Sequence, residues 1–513
     1  MGQPVSDLAY DYVIAGGGTA GAVVAARLSE DPRVTVGLLE WGPTDHHEPR
    51  ALQLRRWSEM LEGEYDLDYA SVPQPRGNSC IRQARARILG GCSSHNTMIA
   101  LRPPAADFDR WAALGALGWD AAAMSGYFGR LALNIVPVAP EHRNPYLADV
   151  IEATAAALGI PVREDWNSDG YRDGTGFVPL GYHPATGVRS SSSVAYLHPV
   201  MGARGNLDVL TRTRVLGVTF DEGPRATGVT VQREDGQLAG IAARREVIVC
   251  CGAIDTPRLL MLSGVGHAEK LRPLGIEVVA DSPGVGENLC DHPEGLVVWE
   301  ATRPLPPEGA ADWDMAIMYR TAPASVVPDV LAHVPLMTFA MHSERLGYPT
   351  PELSLTMTPN VTRPRSRGRV TLASADPADP PLIDYRWFTD DEGNDERTLL
   401  AGLRMARRVA AQAPMSGWVA REVFPGPEVE ADEELSALAR ATCHTVYHVS
   451  CTARMGAPDD PAAVLDPQLR VRGVERLRVI DASAFPALTT VNPMVAVLLL
   501  AERGADLVRG LMN

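Results

Sequence analysis

Hydrophobic and polar positions change period several times along the chain. Residues 10–15, YDYVIA, form a short β-prone run, GGGTAG follows, AVVAARLSE has helical character, and VTVGLLE reads as a second strand ending at Glu40. The predicted order is strand, glycine turn, helix, strand. Further on, LDVLTRTRVLGVTFDEGPRATGVTVQRE alternates β-branched and polar residues around a DEGP turn and predicts a β-meander. REVIVCCGAIDTPRLLMLSGVG then reads as a buried strand running into a helix. A Pro-rich stretch from about 302 to 330 precedes PELSLTMTPNVTRPRSRGRVTLASADP, which reads as antiparallel strands, and the helical DERTLLAGLRMARRVAAQ. The chain returns to a strand, RLRVIDAS, and ends on an apolar helix, NPMVAVLLLAERGADLVRGL. Without repeats or a low-complexity linker, these segments predict an α/β chain whose nucleotide-binding domain is assembled from separated pieces.

The glycine turn is the first feature with a chemical reading. Gly16, Gly18 and Gly21 give G-x-G-x-x-G between a strand and a helix, and Glu40 closes the next strand 24 residues after Gly16. Glycines there permit a tight turn and close approach of backbone N–H groups to a pyrophosphate, and the acid can accept from ribose hydroxyls. Dinucleotide binding follows.

Composition narrows the rest. At 513 residues and 45% hydrophobic content the chain can bury a large core. Its longest apolar run, MVAVLLLA, is too short to span a bilayer, and no secretory pattern precedes YDYVIA, so a cytoplasmic protein without membrane partners is expected. The opening MGQPVS fits a short myristoylation pattern, which is permissive. A formal charge of −16 argues against nucleic acid and mildly favours a cationic ligand. Of 47 basic residues only Lys270 is a lysine, so Schiff-base and Walker-type chemistry have no motif to use. Seven scattered cysteines without C-x-x-C spacing read as free thiols, and no metal site is expected.

At longer range the chain resembles the glucose-methanol-choline family of flavin-dependent oxidoreductases. GAIDTPRLLMLSGVG at 252–266 matches that family's second signature, ARILGGCSSHNTMIA at 86–100 much of its first, and PRSRGRVTL and DASAFPALTTVNPMVAV its C-terminal landmarks. The resemblance implies FAD, held by Gly16, Gly18, Thr19, Ala20, Gly21, Glu40, Gly91, His95, Asn96, Val215, Asp481, Ala482, Asn492 and Pro493. It also implies a Rossmann-like FAD-binding domain from 1–145, 185–295 and 436–513, beside an α+β substrate domain on an antiparallel sheet from 146–184 and 296–435.

Within the family the likeness is strongest to choline oxidases, whose Gly-Gly-Cys-Ser-Ser-His-Asn segment carries a histidine bonded to the flavin ring. Here that residue is His95. His448 in TVYHVSCTARMG and Asn492 in TVNPMVAV match the catalytic pair: the histidine takes or shares the alcohol proton while flavin N5 takes the hydride. Asn492 alone would read as a helix N-cap before Pro493. His333 in LAHVPLM and Thr97 match further active-site positions, and Val446 matches a position that favours oxygen as acceptor. Glu294 in CDHPEG, with Trp57, Trp313, Phe339 and Tyr447, matches a carboxylate-and-aromatic enclosure for trimethylammonium, a cation that aromatic faces attract without hydrogen bonds.

Two departures bear on the substrate. Thr97 stands where these oxidases carry serine, and Val449, Ser450 and Cys451 replace Pro-Val-Gly or Pro-Ala-Gly. The expected activity is oxidation of a primary alcohol, choline above others, to betaine aldehyde and onward to glycine betaine, with oxygen as acceptor. A choline analogue, a neutral aryl or aliphatic alcohol, a non-oxygen acceptor, or a flavin-containing hydroxynitrile lyase stay open, and a homodimer is compatible with the sequence.

Overall fold

The structure is a computed structural model that describes residues 8–168, 172–322 and 325–511; the myristoylation-like opening at 1–6 lies outside them. Leu8–Ala15, whose last four positions are all buried, is the centre of a seven-stranded sheet. It pairs in parallel with Val36–Leu39 on one side and with Leu238–Val249 on the other. Leu207–Leu210 and Leu477–Val479 extend the parallel set.

The helix Thr19–Leu28 leaves the first strand through the glycine turn. Gly16 has φ +101°, and a Cβ there would meet the Cys250 carbonyl oxygen at 2.5 Å; a Cβ on Gly21 would meet the Gly16 carbonyl oxygen at 1.9 Å. The first glycine thus serves the turn and the third the close packing of helix on strand.

The stretch 207–234 divides where the sequence suggested one meander. Thr213–Phe220, Ala226–Arg233 and Leu238–Val249 form the antiparallel part, whereas Leu207–Leu210 crosses to the far edge of the parallel set. Asn206 fixes that choice. Its carbonyl accepts from Val36 N, and its amide donates to the carbonyls of Ser29, Asp31 and Val34, clamping residue 206 to the turn that feeds Val36–Leu39.

A second, eight-stranded sheet is antiparallel throughout, in the order Val419–Phe424, Val297–Ala301, Ser354–Val361, Val330–His333, Met315–Tyr319, Gly174–Phe177. The two-residue strands Pro293–Glu294 and His444–Thr445 join it at the end of Ser354–Val361. All eight residues of Ser354–Val361 are buried. Helix Asn394–Ala410 packs close over it, because a Cβ on Gly402 would already sit 2.8 Å from Pro359 Cβ. Met315–Tyr319 lies inside the stretch that read as Pro-rich connection. The closing helix Met494–Val508 is buried along most of its length and packs on Thr19–Leu28. No helix among the described residues is long and apolar enough to cross a membrane.

Candidate active site

One cavity of about 440 Å³ runs from the glycine turn of the first sheet to the end of the second. Every candidate site residue lines it except Gly21, whose place is in helix packing.

At the nucleotide end, Glu40 is buried and its two carboxylate oxygens accept from Gly17 N at 3.0 Å and Gly42 N at 2.7 Å. Burial pushes this carboxyl up to about 7 against those hydrogen bonds. Glu40 thus shapes the glycine turn itself, a role beyond accepting from a ribose. Asp481 does the same across the chain: Oδ2 accepts from Gly252 N at 2.9 Å and Thr256 Oγ1 at 2.6 Å, Oδ1 from Ser483.

The segment 88–100 crosses the middle. Gly90 and Gly91 have φ +85° and +52°, and a Cβ on Gly91 would meet Gly18 Cα at 2.7 Å, so two glycine backbones touch there. The short 3₁₀ turn Gly91–Ser94 then delivers His95, which is 6% exposed with no hydrogen-bond partner for Nδ1 among the described residues. Burial, and secondarily the Arg85 charge, push this imidazole down to about 3, so it is neutral.

The segment is clamped by a residue that sequence reading passed over. Arg189, fully buried, donates to Ser93 O and Asn96 Oδ1 at 3.3 Å and to Asn96 O, and reaches back to Ala51 O at 3.1 Å. Burial pushes it down to about 9.

At the far end, hydrogen-bond logic fixes the protons of two histidines. His292 Nε2 lies 2.9 Å from the Thr489 carbonyl oxygen, which only accepts, so Nε2 is the donor. Burial pushes His292 down to about 4, leaving it neutral with a bare Nδ1. His448 Nδ1, 2.9 Å away, must therefore donate to it. That leaves His448 Nε2 unprotonated, an acceptor 3.3 Å from Asn492 Nδ2, whose N–H donates to it. Burial first, then His292, His333 and Arg85, hold His448 well below the usual imidazole range. Asp291 secures the turn that carries it, accepting from His448 N and His292 N at 2.9 Å and from the Thr445 hydroxyl.

Beside this pair, Trp313 and Phe339 meet edge to face at 5.3 Å, and Trp313 meets His333 at 5.9 Å. Trp57 is 8% exposed, while Tyr447, at φ +62°, is 39% exposed and forms an outer wall. Glu294 is 1% exposed, with Oε2 3.2 Å from His444 Nε2 and Oε1 3.8 Å from His333 Nδ1.

This geometry joins a dinucleotide cradle to a histidine–asparagine pair, and family models for GMC oxidoreductases match residues 10–294 and 364–501. The chain belongs to the GMC oxidoreductase family. This GMC oxidoreductase is 46% identical to the choline oxidase of Arthrobacter globiformis, over 99% of this chain and 95% of that protein. It is 35% identical to the mitochondrial choline dehydrogenase of Homo sapiens, over 98% and 90%. Its fold is similar to that of pyridoxine 4-oxidase from Mesorbium loti, with a TM-score of 0.89, 28% identity, and coverage of 97% and 98%.

GMC oxidoreductases are FAD-dependent enzymes, and the residues present fit FAD. Gly16, Gly18 and Gly91 line the cavity, where a Cβ on Gly18 would meet no atom nearer than 3.7 Å and so would occupy the cradle, while His95 Nδ1 and Asn492 Oδ1 are buried polar atoms without partners among the described residues. Trp313, His333 and Phe339 fall between the two matched segments. Cys451, where the sequence departs from glycine, sits at φ +74°, a conformation that favours glycine.

Asp291, His292 and His444 escaped the sequence reading. The signal was present in DHPE and in the His444/His448 spacing, but their partners lie across strands.

Proposed function

We propose that this enzyme oxidises a primary alcohol carrying a quaternary ammonium group, choline or a near analogue, to the aldehyde and, through the hydrated aldehyde, to the acid, with oxygen as electron acceptor. The observation that carries the reading is the meeting, in one cavity, of the Glu294–Trp313–Phe339 end with the bare Nε2 of His448. Bound FAD supplies the hydride acceptor. His448 Nε2 accepts the hydroxyl proton, Asn492 Nδ2 orients the oxygen, and the His292–Thr489 chain holds His448 in the tautomer that can accept. Trp57, Trp313 and Phe339 exclude water around the methyl groups and present ring faces to the cation. The likeness to choline-acting relatives supports this assignment, and Val446 in the cavity wall supports oxygen. Oxygen uptake by the purified holoenzyme on adding choline is the expected result; turnover only with an added quinone or dye would reassign the acceptor.

The same reading makes His95 the covalent tether of the flavin. A neutral, unpartnered imidazole in the wall of the cradle is the form able to bond to carbon. After acid precipitation the yellow colour should remain with wild-type protein and leave the pellet of His95→Ala. Complete release from wild type would remove the tether from the account.

A further inference from the structure

Arg189 belongs to neither wall of the cavity, yet it touches the segments that carry both. The strand Pro179–His183 pairs with Val188–Arg189, Tyr182 opposite Arg189, and it also backs residues 98–100, with Gly181 N donating to Met98 O at 2.9 Å and Ala100 N to Pro179 O at 2.8 Å. On the other side Val188 bridges Gln53, and Leu54 N donates to Gly187 O at 3.0 Å. Arg189 thus stands where two segments meet: residues 91–97, which deliver His95, and the turn Leu54–Met60, which delivers Trp57. His95 and Trp57 line the cavity, and Arg189 lies behind them, fully buried.

Its guanidinium divides its donors between the two segments. Nε donates to Ala51 O at 3.1 Å and Nη2 to Leu54 O at 3.5 Å, on the Trp57 side. Nη1 donates to Ser93 O and Asn96 Oδ1 at 3.3 Å and to Asn96 O, on the His95 side. All of these acceptors are neutral, and no carboxylate pairs with Arg189 among the described residues. Burying a guanidinium without an anion is costly, and a neutral side chain would fill the space without that cost. What arginine supplies in exchange is a rigid planar fork that holds acceptors on two segments at one fixed separation. Its charge also reaches His95. Burial first, then Arg85 and, more weakly, Arg189 push that imidazole down.

We propose that Arg189 is a positioning residue that sets the flavin-side and cation-side walls of the site in one fixed register, so that flavin attachment at His95 and recognition of a fixed cation at Trp57 depend on the same guanidinium. The inference rests on reading His95 as the tether and Trp57 as part of the cage. Two properties that His95 and Trp57 carry separately should then fail together when the fork is removed.

The test compares Arg189→Met and Arg189→Lys with His95→Ala and Trp57→Ala, each purified as holoenzyme and matched for FAD content. Two quantities are read: the fraction of flavin kept by acid-precipitated protein, and the ratio of KM for choline to KM for 3,3-dimethylbutan-1-ol. Trp57→Ala should raise the ratio about fivefold, the loss of one aromatic face from a cation, and keep its flavin. His95→Ala should release its flavin and keep the ratio. Arg189→Met should show both changes, with flavin released and the ratio raised about fivefold. Arg189→Lys keeps the charge, but one ammonium does not span both sets of carbonyls, so both changes should reappear in smaller measure, and this variant decides the matter if the methionine protein fails to fold. Wild-type retention and a wild-type ratio in FAD-matched Arg189 variants would reduce Arg189 to a stabilising residue, and a change in only one of the two quantities would confine it to a single wall. Either result overturns the proposal. Wild-type protein that itself releases all its flavin, or a ratio that Trp57→Ala does not move, would instead remove the tether or the cage reading and the inference with it.

Discussion

His448→Ala should reduce its flavin with choline about 10²- to 10⁴-fold more slowly than wild type, the range that general acid or base assistance commonly contributes. The expectation follows from the bare Nε2 that the Thr489–His292–His448 chain enforces. The sign of the pH dependence also follows. Burial holds His448 well below the ordinary imidazole range, so the accepting form persists through neutral pH and is lost only as pH falls through that lowered value. With the neutral isostere 3,3-dimethylbutan-1-ol, flavin reduction should therefore be flat across neutral pH. The variant should still fold and bind FAD, because the Gly16–Gly18–Gly91 cradle is built from other segments. Anaerobic stopped-flow reduction measures both rates. If His448→Ala reduces nearly as fast as wild type while His333→Ala does not, His333 is the base and His448 supports it.

Glu294→Gln should weaken choline far more than its uncharged isostere. A desolvated carboxylate facing a fixed cation among aromatic faces contributes on the order of 2 kcal/mol, roughly thirtyfold in affinity. Glutamine keeps the size of the side chain, so its cavity stays filled and the loss reports charge. A comparison of KM for choline and for 3,3-dimethylbutan-1-ol in both proteins decides it. Equal losses for the two compounds would assign Glu294 to the fold around His333 and His444.

The nucleotide end was legible in the sequence because its residues are local: Gly16, Gly18, Gly21 and Glu40 fall in one strand–turn–helix–strand run whose order gives them meaning. His95, His448, Asn492 and Glu294 were legible through motifs, and the structure gathers them into one cavity. What stayed hidden depends on pairing between distant strands. Nothing in CDHPEG says that His292 will set the tautomer of a histidine 156 positions away, nor that Glu294 will face His444. Leu207–Leu210 alternates as a strand should, but its neighbour is chosen by the Asn206 clamp, a contact that alternation does not encode. Met315–Tyr319 is buried at four of five positions. A strand covered on both faces shows no alternation, so it disappeared into the Pro-rich stretch around it.

The account stands most directly on the visible spectrum of the purified enzyme mixed with choline in the absence of oxygen. It predicts that the yellow absorbance is lost, and that admitting oxygen restores it. A spectrum unchanged by choline, in protein whose flavin is bleached by a neutral primary alcohol, would contradict the assignment of the Glu294 end to a quaternary ammonium group.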